Sequence, residues 1–277
     1  SWPTSAGKPA RTAPPDNAHV KPRLARVDTP DMAIHDMNTL VIVPTYNERE
    51  NIEDVARAVR NHGYGLLIVD DGSPDGTGEI ADRLSGADPE VHVLHRSEKQ
   101  GLGPAYAAGF THGLELGADI LCEMDADFSH DPADLPRLVE AVQRGADLAI
   151  GSRYVEGGGT DGWPWHRQAI SKGGNLYAAT MLGIHVKDAT AGFRAFRDTA
   201  IRKIDPTTCQ ASGYGFQVEM AWRTEAAGLE IVEVPIIFKD RERGHSKMNS
   251  SIALEAMWLV TKWGFASRFG RRASKGV

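Results

Sequence analysis

The chain has 277 residues, 41% hydrophobic and 25% charged, enough to bury a substantial core in one large domain or two small ones. A formal net charge of -6 gives no global basic field, which argues against nucleic acid as the main partner and makes any basic site local. Cys122 and Cys209 are 87 residues apart without C-x-x-C spacing, which suggests neither a zinc site nor a disulfide framework and fits free thiols in a reducing, cytoplasmic compartment.

Residues 1–37 are rich in Pro, Ala and charge without a sustained period and read as a disordered tail; they lack the apolar core of a signal peptide. Apolar runs then occur at Leu40–Val43, Leu66–Val69, Val91–Leu94, Ile120–Cys122 and Leu148–Ile150, with a helix-like segment between each pair. Short continuous apolar runs suit parallel strands covered on both faces, so residues 38–151 read as the doubly wound half of an α/β fold. Asn47 with Glu50 resembles a capping box, and Pro104 and Pro132 suit first helical turns. Farther on, 163–183 is aromatic and basic, 192–197 reads as a strand, 213–228 as a helix, and 231–249 as a strand followed by a basic loop. The last helix, Ile252–Phe265, is interrupted by Glu255 and Lys262 and is too short and too charged to span a bilayer.

In such sheets ligands gather outside the carboxyl ends of the strands. The segments there are unusual: PTYNE (44–48), DDGSPDGT (70–77), HRSEKQGLGPA (95–105), DADFS (125–129) and GSRY (151–154). Asp125 and Asp127 form a D-x-D whose two carboxylates point to one side of an extended chain, where they can share a hard divalent cation. Asp70 and Asp71, before Gly72, can accept hydrogen bonds from a base edge or ribose hydroxyls, and Lys99 beside the Gly101–Gly103 turn can meet phosphate. Arg153, Arg167, Lys172, Arg194, Lys239, Arg241, Arg243, His245 and Lys247 suggest a polyanionic ligand opposite the acids. Trp163, Trp165 and Tyr177 suit either packing or a membrane interface.

In combination these motifs become specific. VIVPTYNERENI, LLIVDDGSPDGTGEIA, KQGLGPAYAAGF, MDADFSHDP, GSRYVEGGG, RQAISKGGN, DATAGFRAF and RERGHSKMN, in this order across residues 38–250, closely resemble the polyprenyl (dolichyl) phosphate mannose synthases among the family 2 glycosyltransferases. The resemblance implies a GT-A fold over 38–250, followed by an amphipathic helix and basic tail over 251–277. It implies transfer of mannose from GDP-mannose to a polyprenyl phosphate with inversion, using Mg²⁺ or Mn²⁺. By position, Pro44, Tyr46, Glu48, Asp70, Lys99 and Gly101 would line the nucleotide pocket, and Asp125 and Asp127 would hold the metal. Many relatives have Gln where this chain has Ser129, so the third metal contact falls to Ser129 or to a water. Arg153 would meet both phosphates, Arg167 and Ser171 the acceptor phosphate, and Arg243 and Lys247 would close over the diphosphate. The residues alone leave a UDP-glucose-using sister activity open. A non-catalytic phospholipid-binding module would need neither GSRY nor the basic loop. Attachment to a membrane is expected to be peripheral, through 163–183, 252–265 and the basic tail, or through a separate membrane partner.

Overall fold

The computed structural model describes residues 37–213, 215–240 and 250–273, and within the last helix the side chains of 254–266. The tail before residue 37 and the loop carrying Arg241, Arg243, His245 and Lys247 lie outside the described residues. The strands β1 (Thr39–Thr45), β2 (Gly65–Asp70), β3 (Val91–His95), β4 (Ile120–Glu123) and β5 (Leu148–Ser152) form at the five apolar runs. With β7 (Arg194–Arg197) and β8 (Ile231–Pro235) they make a seven-stranded sheet in the order β3-β2-β1-β4-β7-β5-β8. Only β7 runs antiparallel, opposite both β4 and β5.

Strand alternation divides the core into two layers. Leu40, Ile42, Leu67 and Val69 point to one face and Val41, Val43, Leu66 and Ile68 to the other. The second face is covered by α1 (Ile52–Asn61), α2 (Thr77–Ala87) and α4 (Leu135–Gln143). Both α1, with Ile52, Val55, Ala56 and Val59, and α4, with Leu135, Leu138, Val139 and Val142, bury a stripe at helical spacing. The first face is covered by α3 (Leu102–Glu115), α5 (Trp165–Leu182), α6 (Asp198–Ile204), α7 (Gly215–Ala226) and α8 (Ser250–Ala273). The last helix belongs to this core, because Leu259, Val260 and Trp263 are buried there, Trp263 stacks on Trp222 at 5.7 Å, and Thr261 hydrogen-bonds Tyr177 at 2.5 Å. No helix among the described residues is long and apolar enough to cross a membrane.

Three local expectations change. The Asn47–Glu50 capping box does not form: α1 starts at Ile52 after Asn51, while Asn47 sits in the left-handed region (φ 60°) and donates its backbone N–H to Ser73 Oγ. Asn tolerates that conformation better than most residues, so the loop uses it as a turn. Pro132 opens a short 3-10 turn ahead of α4, whereas Pro104 does lie in the first turn of α3. The single strand expected after residue 231 breaks at Pro235–Ile236, and β9 (Ile237–Lys239) pairs instead with β6 (Gly159–Asp161) in a separate parallel ribbon.

Helix α3 lies close on the sheet because Gly109 and Gly113 present no side chain to it. A Cβ on Gly109 would come within 2.5 Å of Ile42 Cγ2. Gly109→Ala is therefore expected to destabilise the fold by about 1–3 kcal/mol through overpacking, seen as a lower urea midpoint at unchanged m-value.

Candidate active site

In the order β2-β1-β4, the chain leaves β1 in one direction for β2 and later returns on the other side for β4, so the ends of β1 and β4 flank a switch point. Pro44 lies at the end of β1 beside Val69 of β2, and the following loop, with Tyr46 and Glu48, is stitched to the loop after β2. Glu48 N donates to Thr77 Oγ1 (3.0 Å) and Arg49 N to Asp75 Oδ2 (3.2 Å). Asp70 supports the same stitching: its carboxylate accepts from Thr45 Oγ1 (3.2 Å), Ser73 Oγ (2.5 Å) and Ser73 N (3.2 Å). Its neighbour Asp71 pairs with Arg96 at 2.6 Å; burial raises the Asp71 pKa, and Arg96 partly offsets the rise. Lys99 Nζ lies 4.2 Å over the Tyr46 ring, so the first and third strand ends meet. Gly101 has a structural duty: at φ 109° its missing Cβ leaves room for the Ser212 carbonyl, which a Cβ would approach to 2.7 Å.

Beyond β4 the chain turns sharply. Phe128 adopts φ 57°, and the Ser129 N–H donates to Asp127 Oδ1 at 3.0 Å. Asp127 is thereby fixed and largely buried, while Asp125 is about one-third exposed and faces a cavity of about 640 Å³. The Ser129 hydroxyl is buried without a hydrogen-bond partner among the described residues, and the Ser129 carbonyl accepts from Lys239 N of β9 (3.1 Å). His130 lies 3.9 Å from Asp125 Oδ2, stacked on Phe193 and edge-on to Phe238.

The same cavity is lined by Arg153, Trp163, Arg167 and Ser171. Arg153, at the end of β5, reaches Asp188 through Nε (2.7 Å) and Nη2 (2.6 Å). Arg167 lies 4.0 Å over the Trp163 ring and donates to Asp240 Oδ1 at 3.0 Å. Trp163 also lies 5.4 Å from the Arg153 guanidinium, so one indole flanks both cations. The structure thus brings Asp125, Arg153, Arg167 and Ser171 to one chamber and Tyr46 to Lys99; Arg243 and Lys247 fall outside the described residues.

Arg194, grouped with the ligand-facing cations on sequence, has another task. It is fully buried and donates to the carbonyls of Ala189, Ala191 and Gln217. It pairs in register with Glu123, whose carboxylate lies 4.0 Å away behind the D-x-D turn. Burial pushes the Glu123 carboxyl up to about 8, with Arg194 and Gln217 opposing the shift and Asp125 adding to it. His130, Asp188 and Arg96 were missed as site residues. Each lies inside or next to a quoted motif, but only its partner across the fold reveals its part.

Comparison with known proteins agrees with this fold. Residues 40–205 match the family described as glycosyl transferase family 2. The chain is 52% identical over 242 residues to the polyprenol monophosphomannose synthase of Mycolicibacterium smegmatis, covering 86% of this chain and 91% of that one. It is 52% identical over 244 residues to the undecaprenyl-phosphate mannosyltransferase of Micrococcus luteus, covering 87% and 100%. With the dolichol-phosphate mannosyltransferase of Pyrococcus furiosus it shares 37% identity over 236 residues, 82% of this chain and 64% of that one. Among solved structures, the glucosyl-3-phosphoglycerate synthase of Mycobacterium tuberculosis, in complex with Mn²⁺, UDP and glucosyl-3-phosphoglycerate, superposes with a TM-score of 0.60 at 22% identity over 85% of this chain and 81% of that one.

The raised Glu123 pKa sets a pH dependence. The unfolded chain releases this proton near 4.5, whereas the folded chain holds it to about 8. Between those values the unfolded state binds fewer protons, so stability falls as pH rises through the window and levels off above it. Glu123→Gln removes this titration. In EDTA its urea midpoint is expected to gain on that of the wild type as pH climbs from 4.5 to 8.

Proposed function

The chain belongs to glycosyl transferase family 2, its fold is GT-A, and we propose that it transfers mannose from GDP-mannose to a polyprenyl monophosphate, giving polyprenyl-phosphate-mannose and GDP. The observation that carries this reading is the shared chamber. A D-x-D carboxylate and two guanidiniums line one cavity, continued by the apolar side chains of Ile170, Tyr177, Met257 and Val260 on α5 and α8. A diphosphate carrying a divalent cation would suit the first, a phosphate monoester the second, and a prenyl chain the third.

Among the described residues no group of three or more His, Cys, Asp or Glu is assembled to hold a metal ion. Asp125 and Asp127 supply hard oxygen donors, which fit Mg²⁺ or Mn²⁺ shared with substrate phosphates, with the buried Ser129 hydroxyl at hand for a direct or water-mediated contact. When bound, the cation offsets the charge that develops on the departing diphosphate. The chain's own residues do the rest. Pro44, Tyr46, Glu48 and Asp70 shape the nucleoside side, with Lys99, over the Tyr46 ring, assigned to a phosphate. Arg153 stands between the two phosphates, and Arg167 with Ser171 holds the acceptor phosphate. From the sequence, Arg243 and Lys247 are assigned to cover the diphosphate.

The acceptor oxygen forms its bond to the sugar carbon as the bond to GDP breaks on the opposite face, and GDP departs with the electron pair. The product is inverted. No proton has to move, because a phosphate monoester with a second pKa of about 6 is largely ionised near neutrality. The difficulty is repulsion between two polyanions, and fixed guanidiniums reduce it without reorganising.

The lipid substrate and the exposed apolar side chains support peripheral attachment to a membrane, which this reading puts at the cytoplasmic face. Trp165, Ile170 and Leu176 on α5, and Leu254, Met257, Trp258 and Phe265 on α8, are all exposed. Five Lys or Arg follow in KWGFASRFGRRASK (262–275), each worth about 1 kcal/mol near an anionic leaflet.

Two measurements test these readings. Purified protein incubated with radiolabelled GDP-mannose or UDP-glucose, a polyprenyl phosphate and Mg²⁺ or EDTA is expected to label lipid only from GDP-mannose with metal. Asp127→Ala is expected to lose at least a hundredfold of that activity while retaining its fold. Label from UDP-glucose would assign the sister reaction, and none from either donor would refute transfer. In a separate flotation assay, the protein is expected to bind anionic phosphatidylglycerol vesicles. Replacing Trp165 and Trp258 with Ser should weaken binding about tenfold or more, given about 1.5–3 kcal/mol per large buried apolar side chain. Unchanged binding would point attachment elsewhere.

A further inference from the structure

We propose that Asp188 is a positioning residue for the phosphate-handling end of the cavity, fixing the plane of the Arg153 guanidinium and tying it to the helix that carries Ser171 and Arg167. This inference rests on the transferase reading and adds a residue to it.

Asp188 lies in the loop before β7, and its side chain is completely buried. One oxygen accepts from both Arg153 N (3.0 Å) and Arg153 Nε (2.7 Å), and the other from Arg153 Nη2 (2.6 Å) and Thr190 Oγ1 (3.3 Å). Thr190 Oγ1 itself accepts from Arg153 Nη2 at 2.9 Å. Nε and Nη2 are therefore tied at two points in the plane of the guanidinium, and the Arg153 backbone is held by the same carboxylate. Aromatic rings stand around the cation, with Tyr154, Trp163 and Phe238 centred 5.3, 5.4 and 5.5 Å from it.

The network continues to α5. Buried Asn175 donates to Thr190 Oγ1 (3.0 Å) and to the Ser171 carbonyl one turn earlier (3.0 Å), while its Oδ1 accepts from Thr190 N (3.2 Å). On the other side, Glu233 of β8 accepts the backbone N–H groups of Lys187 and Asp188, at 2.9 and 3.0 Å, which steadies the loop. The strand end with Arg153 and the helix with Ser171 thus share one support.

Stability alone does not call for this arrangement, since well-packed apolar side chains can replace a buried ion pair at little or no cost. What an apolar replacement cannot supply is direction. A guanidinium recognises phosphate through a planar fork, and Asp125 in the same cavity offers it a competing carboxylate. Asp188 takes the Nε–Nη2 edge of Arg153, which holds the cation back from that competitor and fixes the plane in which its remaining edge meets the acceptor.

The test compares wild type with Asp188→Asn, which preserves shape and removes the charge. Acceptor kinetics, GDP-mannose kinetics and the thermal shift given by GDP with Mg²⁺ are measured on each. The expected result is a fall of about ten- to a hundredfold in kcat/KM for polyprenyl phosphate, the scale of a misplacement near 1 Å, with a smaller fall for GDP-mannose, whose diphosphate Arg153 also meets, and with melting temperature and most of the GDP thermal shift retained. The double variant with Arg153→Lys should lose little more than either alone, because both changes break the same fork. Acceptor kinetics equal to wild type would overturn the proposal, and so would a parallel loss of folding stability, donor use and acceptor use, which marks a merely structural pair. If Asp188→Asn does not fold, Thr190→Val carries the test: a selective rise in acceptor KM is expected, and no change overturns the idea. Absence of turnover in the wild type would instead refute the transferase reading on which the proposal stands.

Discussion

Opposite charges must face one another across a single cavity without collapsing together. Asp125 lines the same space as Arg153 and Arg167, and a polyanion can enter only if these groups stay apart when it is absent. The chain meets this constraint from behind. Arg153 is pinned by Asp188 and Arg167 by Asp240, and just behind the cavity wall Asp127 is held by the Ser129 N–H. Prior pairing also means that little reorganisation remains when substrate arrives, which is the condition for electrostatic stabilisation of developing charge.

The sheet makes that arrangement possible. Parallel strands deliver their following loops to one edge, and the reversal between β1 and β4 opens a crevice there. The antiparallel strand β7 then inserts between β4 and β5, which places the loop before it, with Asp188, Thr190 and Gly192, beside the ends of its two neighbours. It also sets Arg194 opposite Glu123, a buried pair directly behind the D-x-D turn. A single reversed strand therefore serves both the wall of the cavity and the backing of the acidic turn.

The two helices that close the cavity on its apolar side complete the proposed function. Helix α5 carries the acceptor-phosphate candidates near its start, and α8 packs against it through the Tyr177–Thr261 hydrogen bond and the core around Trp263. Their outer faces expose large apolar side chains. A contiguous exposed apolar surface of this kind marks an interaction site, and the proposed lipid substrate is the occupant it fits.

The βα repeat was legible from residue order, because continuous apolar runs separated by helix-length segments have few other solutions, and so were the motifs at the strand ends. The sequence marked Asp125 and Asp127 from their spacing and Arg153, Arg167 and Ser171 through the resemblance. It misjudged Asn47, whose left-handed turn depends on Ser73 in another loop, and Arg194, whose carbonyl partners come from residues 189, 191 and 217. The extra ribbon of β6 and β9 was equally hidden, since two three-residue strands that pair Gly159 with Ile237 carry almost no periodic signal. Which charges line the cavity and which are consumed as supports emerges from packing. Whether a guanidinium meets substrate or backbone depends on what the fold places within three ångströms of it, and chain order does not encode that distance locally.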